Sequence, residues 1–164
     1  GKTECGPNRA TAILLSTTAA TFLNEPLLAQ EVFGPGTLLV LCNHDEEMLN
    51  VARAIEGQLT ASVHATEDDL ARARDLIHVL EERVGRLIAN GFPTGVEVCN
   101  AMVHGGPYPA CSDPGSTSVG ARSLQRFARL VCYQNWPEWL LPEELKDANP
   151  LGLWRTVDGV AGRH

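Results

Sequence analysis

The sequence predicts an α/β fold with a mostly parallel sheet flanked by helices. Short apolar runs that suit buried strands alternate with stretches whose apolar residues recur at three- and four-residue spacing. Their order, strand–helix–strand–helix–strand, indicates βαβ units with right-handed crossovers. Ligands of open α/β sheets bind beyond the carboxyl ends of the strands, so we expect chemistry in the segments after Cys42, His64 and Asn90.

The first part of the chain contains two predicted strands. Residues 1–10 are polar and contain Gly-Pro, which predicts a loop, and residues 12–17 form a short apolar run that suits a strand. Residues 18–28 contain Asn-Glu-Pro, so we expect irregular structure or a short helix. Residues 37–42 are continuously apolar, which predicts a strand covered on both faces.

A helix is predicted over Asp45–Glu56, because apolar residues recur there at helical spacing. Asp45 suits the N-cap and Gly57 suits the position after the last turn. Residues 59–64 are then predicted to form a strand, because they are apolar and bounded by turn residues.

A second helix is predicted to start at Thr66, a favourable N-cap residue followed by two aspartates that suit the positive end of the helix dipole. Its apolar residues mark one face as far as about Val84, and Gly85 is predicted to close it. Residues 86–90 form another predicted strand.

The chain changes character between residues 90 and 117, where Gly and Pro are frequent and no regular pattern holds. A loop of about thirty residues is usually functional or disordered, and the apolar content here favours a functional loop. Residues 118–126 suit a short helix and residues 129–134 a strand. Exposing the aromatics of residues 136–142 would be costly, so we expect this segment to pack on the body or on a second subunit.

Composition excludes several classes of function. The net charge is −7 and no cluster of Lys or Arg occurs, so we expect no nucleic-acid partner. No apolar run is long enough for a membrane span, and residues 1–4 lack the apolar core of a signal peptide. The five cysteines are odd in number, scattered and without zinc-ligand spacing. We therefore expect a cytoplasmic protein with reduced thiols and no metal site.

The stretch Gln30–Pro35 combines a carboxylate, an aromatic ring and a Gly-Pro stop. Pro fixes its own φ and disfavours helix at the preceding residue, so Glu31 and Phe33 should lie at an element boundary, where side chains can face a ligand. The other interpretation is an ordinary turn with a core Phe and a solvated Glu.

Two cysteines are candidate nucleophiles. Cys99 lies in the glycine-rich loop beside Asn100 and five residues before His104, and Cys111 precedes a Ser-Asp pair. Each is equally compatible with a buried or loop thiol, because spacing does not define a Cys/His geometry. The sequence contains no Gly-x-Ser-x-Gly elbow, P-loop or Gly-x-Gly-x-x-Gly fingerprint.

Several long motifs together resemble the aldehyde dehydrogenase superfamily. Residues 30–35 are similar to its Glu-x-Phe-Gly-Pro signature, and residues 59–64 to its Gly-Leu-x-Ala-x-Val segment. Within the superfamily, Asn-Gly-Phe-Pro-Thr-Gly-Val-Glu-Val at 90–98 and His-Gly-Gly-Pro-Tyr-Pro-Ala at 104–110 resemble the branch of 2,5-dioxopentanoate (α-ketoglutarate semialdehyde) dehydrogenases. The segment 118–135 and the tail resemble the same branch, so the likeness covers essentially the whole chain.

This resemblance implies that residues 1–164 are the C-terminal portion of an aldehyde dehydrogenase catalytic domain, with a substrate-side loop at 90–117 and an oligomerisation strand and tail at 127–164. It implies NAD or NADP as cofactor, with Glu31 bonded to the nicotinamide ribose and Phe33 beside the nicotinamide. The residues that it implies along the aldehyde entrance are Pro93, Thr94, Val96, His104 and Tyr108.

The nucleophilic Cys and general-base Glu of that family precede the Glu-x-Phe-Gly-Pro stretch, so the resemblance assigns no catalytic residue to this chain. It implies an NAD(P)-dependent oxidation of a small-molecule semialdehyde to the acid by a homo-oligomer, with this chain inactive alone. One alternative is a free-standing, non-catalytic oligomerisation or interaction module. Another is that Cys99 or Cys111 acts as a nucleophile in its own right.

Overall fold

The computed structural model describes residue 6 and residues 8–164, so Cys5 and most of the loop predicted over residues 1–10 lie outside the described residues. The chain divides into two compact units, Gly1–Ala128 and Arg129–His164. The first is a mixed α/β unit with short parallel sheets and helices. Among the residues described, no helix has the length and apolar character needed to cross a bilayer.

The strands of the first unit pair as two parallel couples, β1 with β2 and β3 with β4. The predicted parallel pairing is confirmed, but the four strands form two short sheets instead of one, because the described residues show no pairing between the couples. In chain order the elements are β1 (Ile13–Thr18), α1 (Ala19–Asn24), a 3₁₀ helix (Pro26–Ala29), β2 (Gly36–Leu41), α2 (Asp45–Ala54), β3 (Gln58–Val63), α3 (Glu67–Arg72), α4 (Arg74–Arg83), β4 (Val84–Ala89) and a second 3₁₀ helix (Ala121–Phe127).

Strand β2 is confirmed, but the prediction that it is covered on both faces is wrong. Leu39 and Leu41 remain about half exposed, whereas the alternating residues Leu38 and Val40 are more buried. The helix α1 packs against β1 and β2, and the side chains of Leu39 and Leu41 are not fully covered by the described residues. A continuous apolar run therefore marks a strand without establishing what lies above and below it.

The first predicted helix has different ends from those expected. His44 is the N-cap instead of Asp45, and its Nδ1 accepts a hydrogen bond from the Glu47 N–H at 3.3 Å. The helix α2 stops three residues before Gly57. Gly57 is buried, and a Cβ there would collide with the carbonyl oxygen of Pro107. A tertiary contact, and not a helix end, requires this glycine.

The second predicted helix begins as expected and is interrupted once. The Thr66 hydroxyl accepts from the Asp69 N–H at 3.2 Å, and the Asp69 carboxylate accepts from the Thr66 N–H, which confirms the N-cap as a full capping box. At Ala73 the backbone turns to φ −85° and ψ 19°, which separates α3 from α4. Gly85 lies inside β4, so its prediction as the helix end is wrong.

The second unit contains little regular structure. Its elements are 3₁₀ helices at Glu138–Leu140 and Glu143–Leu145 and an antiparallel hairpin of β5 (Arg155–Val157) and β6 (Val160–Gly162). The strand predicted over residues 129–134 is wrong: no described segment pairs with it, and Leu130 is fully exposed. A strand requires hydrogen bonds from a neighbour, and an apolar run alone does not supply them.

The aromatic segment at residues 136–142 keeps much of its apolar surface. Trp136 has an edge-on contact with Tyr133, with ring centroids 6.0 Å apart, yet it is 51% exposed. Trp139 is 77% exposed. Packing of these rings on a second subunit stays a prediction.

Candidate functional site

Glu31 and Phe33 lie between the 3₁₀ helix Pro26–Ala29 and the start of β2, which confirms the predicted element boundary. The segment is held shortly after Phe33 by a hydrogen bond, which the Pro35 carbonyl accepts from the Ile13 N–H at 2.9 Å. This bond continues the pairing of β1 with β2 and holds the chain at Pro35, two residues after Phe33.

Both side chains are free to meet a ligand. Phe33 is 92% exposed, so it is not a core Phe within the described residues. Within residue 6 and residues 8–164, the Glu31 carboxylate accepts no hydrogen bond and forms no ion pair. An unengaged carboxylate and an exposed ring two residues apart fit the hydroxyl groups and the flat ring of a nucleotide.

The glycine-rich loop starts from a side-chain bridge between the carboxyl ends of β3 and β4. The Asn90 side chain accepts from the Ala65 N–H and donates to the Ala65 carbonyl, each at 2.9 Å. Asn90 has a φ of +51°, a left-handed conformation that Asn tolerates better than most residues. Two residues later, the Phe92 ring lies 5.0 Å from the His64 ring, so the loop leaves the sheet in a defined direction.

Arg86 of β4 holds the next part of the loop. Its guanidinium donates to the Pro93 carbonyl at 3.1 Å and to the Gly95 carbonyl at 2.8 Å. The same group approaches the Met102 sulfur at 3.6 Å. The segment after Asn90 therefore folds back toward β4, and Pro93, Thr94 and Val96 lie exposed on it.

A stretch of small residues, Gly105–Pro107, packs at the amino ends of β3 and β4. A Cβ on Gly106 would collide with the Gln58 carbonyl, and a Cβ on Gly85 would collide with the Gly105 carbonyl. Backbone thus packs directly on backbone, which only glycine permits. The predicted substrate-side residues therefore fall into two groups: three follow the carboxyl end of β4, and His104 and Tyr108 flank this packing at the amino ends.

His104 is held through its backbone by the far end of the loop. Its N–H donates to the Thr117 hydroxyl at 2.8 Å, and its carbonyl accepts from both the N–H and the hydroxyl of Ser118. Thr117 is buried and donates in turn to the Val119 carbonyl. These bonds connect the two ends of the segment 104–118. The His104 Nδ1 is buried and has no hydrogen-bond partner among the described residues.

An open cavity of about 420 Å³ lies beside the amino ends of β3 and β4. Of the five predicted substrate-side residues, Tyr108 alone lines it, and Tyr108 is 80% exposed. The lining is predominantly apolar and comprises Val84, Gly85, Val103, Gly106, Pro107, Tyr108 and Pro114.

The cysteines show no activated arrangement in the part of the chain that the structure describes. The Cys111 thiol donates to the Asp113 carbonyl at 3.3 Å, and no described thiol is bonded to a histidine ring. Burial, followed by the nearby Glu47 carboxylate, raises the pKa of Cys42, which disfavours its thiolate. No group of three or more His, Cys, Asp or Glu suited to a metal ion occurs among the described residues.

Sequence reasoning missed Arg86 and Thr117, which organise the loop. Arg86 could have been noticed as a charged residue within an otherwise apolar predicted strand. Thr117 carried no such signal, because its role depends on a partner thirteen residues earlier in the chain.

Comparison with known proteins gives close relatives over almost the whole chain, although no family model matches it. The chain is 51% identical over 160 residues to α-ketoglutaric semialdehyde dehydrogenase 2 of Azospirillum brasilense, which is 98% of this chain and 30% of that protein. It is 50% identical over 136 residues to α-ketoglutaric semialdehyde dehydrogenase of Acinetobacter baylyi, which is 83% of this chain and 26% of that protein.

The chain thus spans about 30% of the length of the curated relatives that it matches. Both relatives are named as oxidoreductases of one kind, and the identity extends through the loop and both units described above. By this homology the chain belongs to the aldehyde dehydrogenase superfamily, as a piece related to the α-ketoglutaric semialdehyde dehydrogenases.

Proposed function

We propose that this chain is the C-terminal part of an NAD(P)-dependent aldehyde dehydrogenase that oxidises α-ketoglutarate semialdehyde to the acid. The observation that carries the proposal is the 51% identity over 98% of the chain to a protein named for that substrate. The acidic composition and the mixed α/β unit are compatible with such an enzyme.

In this proposal Glu31 and Phe33 contribute to the cofactor site. The exposed Glu31 carboxylate accepts hydrogen bonds from the ribose hydroxyls, and the exposed Phe33 ring lies against the nicotinamide side. The bound cofactor supplies the hydride acceptor for the oxidation. Both side chains lie in a short segment that is held after Phe33 by the hydrogen bond to the Pro35 carbonyl, which reduces the ordering required on binding.

The loop at 90–117 contributes to the aldehyde side. Pro93, Thr94 and Val96 are the residues of its first part, and His104 and Tyr108 those of its second part. All five belong to one hydrogen-bonded loop that starts at Asn90 and closes at Ser118. The nucleophile and the general base lie in the rest of the protein, so this chain is inactive by itself.

The first test is the formation of NAD(P)H from α-ketoglutarate semialdehyde, measured for this chain alone and for a longer polypeptide that carries it. We expect turnover only with the longer polypeptide. Turnover by the isolated chain that is lost in Cys99→Ala or Cys111→Ala would place the nucleophile inside this chain and overturn its assignment as a non-catalytic part.

The second test is Glu31→Ala in the longer polypeptide. Loss of charge-assisted hydrogen bonds to the cofactor should raise its KM by about tenfold or more and leave the KM for the aldehyde nearly unchanged. Glu25→Ala is the matched control, because Glu25 is also exposed and its carboxylate forms no hydrogen bond within the described part of the chain. Equal KM values for the cofactor in Glu31→Ala and Glu25→Ala would contradict the assigned role of Glu31.

A second candidate is a free-standing interaction module, and the exposed apolar side chains of residues 129–164 favour it. Leu130, Trp139 and Trp154 are each at least 70% exposed. In the first candidate, the same surface, with residues 127–164, contributes to the interface of a homo-oligomer. Stable self-association of the isolated chain, together with no activity of any longer polypeptide, would favour the module.

A further inference from the structure

Arg86 is a charged residue in the middle of a strand, and its guanidinium faces loop backbone. Both terminal nitrogens donate to carbonyl groups that flank Thr94, those of Pro93 and Gly95. The Met102 sulfur lies 3.6 Å from one of the two terminal nitrogens of Arg86, Nη1. The Arg86 Nε is buried, and no described residue accepts a hydrogen bond from it.

No carboxylate neutralises this guanidinium within residue 6 and residues 8–164. The ion pairs of the described chain join His44 to Glu47, Asp69 to Arg72 and Glu81 to His78. The loop itself contains no Lys or Arg between Gly91 and Ala121. Apart from the Met102 sulfur, the described residues bond the Arg86 guanidinium only through carbonyl dipoles, an arrangement that orders backbone at the cost of partly desolvating a charge.

We propose that Arg86 is a positioning residue that sets the conformation of Pro93–Val96 and thereby the aldehyde side of the site. The proposal rests on the proposed function for its effect on the aldehyde. The Pro93 and Gly95 carbonyls have no partner in a strand or helix, and a single planar group that bonds both of them restrains the Pro93–Thr94 and Gly95–Val96 peptide units.

The geometry requires Arg and not merely a positive charge. A guanidinium presents several donors in a rigid plane and can bond two carbonyls at once, whereas a Lys ammonium is a compact point charge on a flexible stem. Arg86→Lys therefore keeps the positive charge and loses the planar pair of donors. This substitution separates the contribution of the charge from that of the two hydrogen bonds.

The first measurement is limited proteolysis of the chain, with cleavage between Gly91 and Val98 mapped by mass spectrometry. Arg86→Lys and Arg86→Ala should both raise the cleavage rate by about tenfold, because the segment loses two hydrogen bonds that order it. Arg74→Ala is the control, since Arg74 is exposed and forms no ion pair within the described residues. Unchanged cleavage in Arg86→Lys would overturn the proposal, even if Arg86→Ala fails to fold.

The second measurement is made on the longer polypeptide with semialdehyde as substrate. Displacement of the loop should raise the KM for the aldehyde by about tenfold and leave the KM for NAD(P) within about twofold. Ethylguanidinium should restore the aldehyde KM of Arg86→Ala, and ethylammonium should not. A KM change shared by aldehyde and cofactor, or equal rescue by the two cations, would contradict a positioning role.

The two measurements also separate this proposal from the proposed function. An inactive wild-type longer polypeptide would refute the dehydrogenase function and leave the proteolysis result to decide whether Arg86 positions the loop. An active enzyme whose Arg86 variants match the wild type in KM and cleavage would refute the Arg86 proposal and leave the function intact.

Discussion

At the scale of single residues, the loop is shaped as much by missing side chains as by those present. At Gly57, Gly85 and Gly106 a carbonyl oxygen of another segment occupies the place where a Cβ would stand. Gly36 differs, because no atom lies within 4 Å of its Cβ position. Packing therefore requires glycine at positions 57, 85 and 106, whereas a Cβ at position 36 would meet no steric conflict.

We therefore expect Gly85→Ala to lower the free energy of unfolding by about 1–3 kcal/mol, because the added methyl group displaces the Gly105 backbone. Gly36→Ala should change it by less than about 0.5 kcal/mol. Urea unfolding of the two variants beside the wild type measures both values. A Gly85→Ala protein as stable as the wild type would show that Gly105 does not pack where the structure places it.

At the scale of elements, helix starts are set by side chains that compete for the first free N–H groups. In α2 the cap is the His44 ring, and in α3 it is the Thr66 hydroxyl within a capping box. Hydrogen bonds from the Thr66 side chain, followed by that from Arg72, lower the pKa of Asp69. The Thr66 hydroxyl therefore both caps the helix and favours the charged form of Asp69.

Thr66→Ala should lower the free energy of unfolding by about 1 kcal/mol at neutral pH, because the hydroxyl cap is lost, whereas Thr66→Ser should nearly preserve it. The substitution should also raise the pKa of Asp69 toward its ordinary value of 3.8, which NMR titration measures. An unshifted Asp69 pKa in Thr66→Ala would contradict the bond between the two side chains.

The sign of the accompanying pH dependence follows from the lowered pKa of Asp69. Its favourable contribution is complete above the ordinary value of 3.8 and is lost as the pH falls through the lower value of the folded state. The stability difference between wild type and Thr66→Ala should therefore narrow in that acidic window, and a difference that widens on acidification would refute this account.

At the scale of the whole molecule, the chain leaves apolar surface that a protein normally covers. Leu39 and Leu41 of β2 are about half exposed, and Leu130 is fully exposed. The chain spans about 30% of its curated relatives. Apolar surface of this extent fits contacts with the rest of a longer protein or with a second subunit.

Leu130→Asp tests the second of these contacts in the longer polypeptide. If residues 127–164 contribute to an oligomer interface, a charge at this fully exposed position should shift the protein to a smaller species. Arg163→Ala, another exposed position of the same unit, serves as the control. Sedimentation velocity measures both, and an unchanged oligomer in Leu130→Asp would remove Leu130 from the interface.

The sequence by itself determined the four strands of the first unit, the Thr66 cap and the boundary at Glu31 and Phe33, because these depend on local patterns. Its motifs also determined the family. The prediction of a strand at residues 129–134 was wrong because a strand depends on a neighbouring strand, which no local pattern specifies.

Only the tertiary structure decided which glycines are required, and that Arg86 and Thr117 hold the loop. Each of these features depends on atoms brought together from distant parts of the chain, as when Gly57 meets the Pro107 carbonyl. Periodicity and propensity reflect interactions between residues that are close in sequence. Contacts between distant segments arise from packing, and that information exists only once the chain is folded.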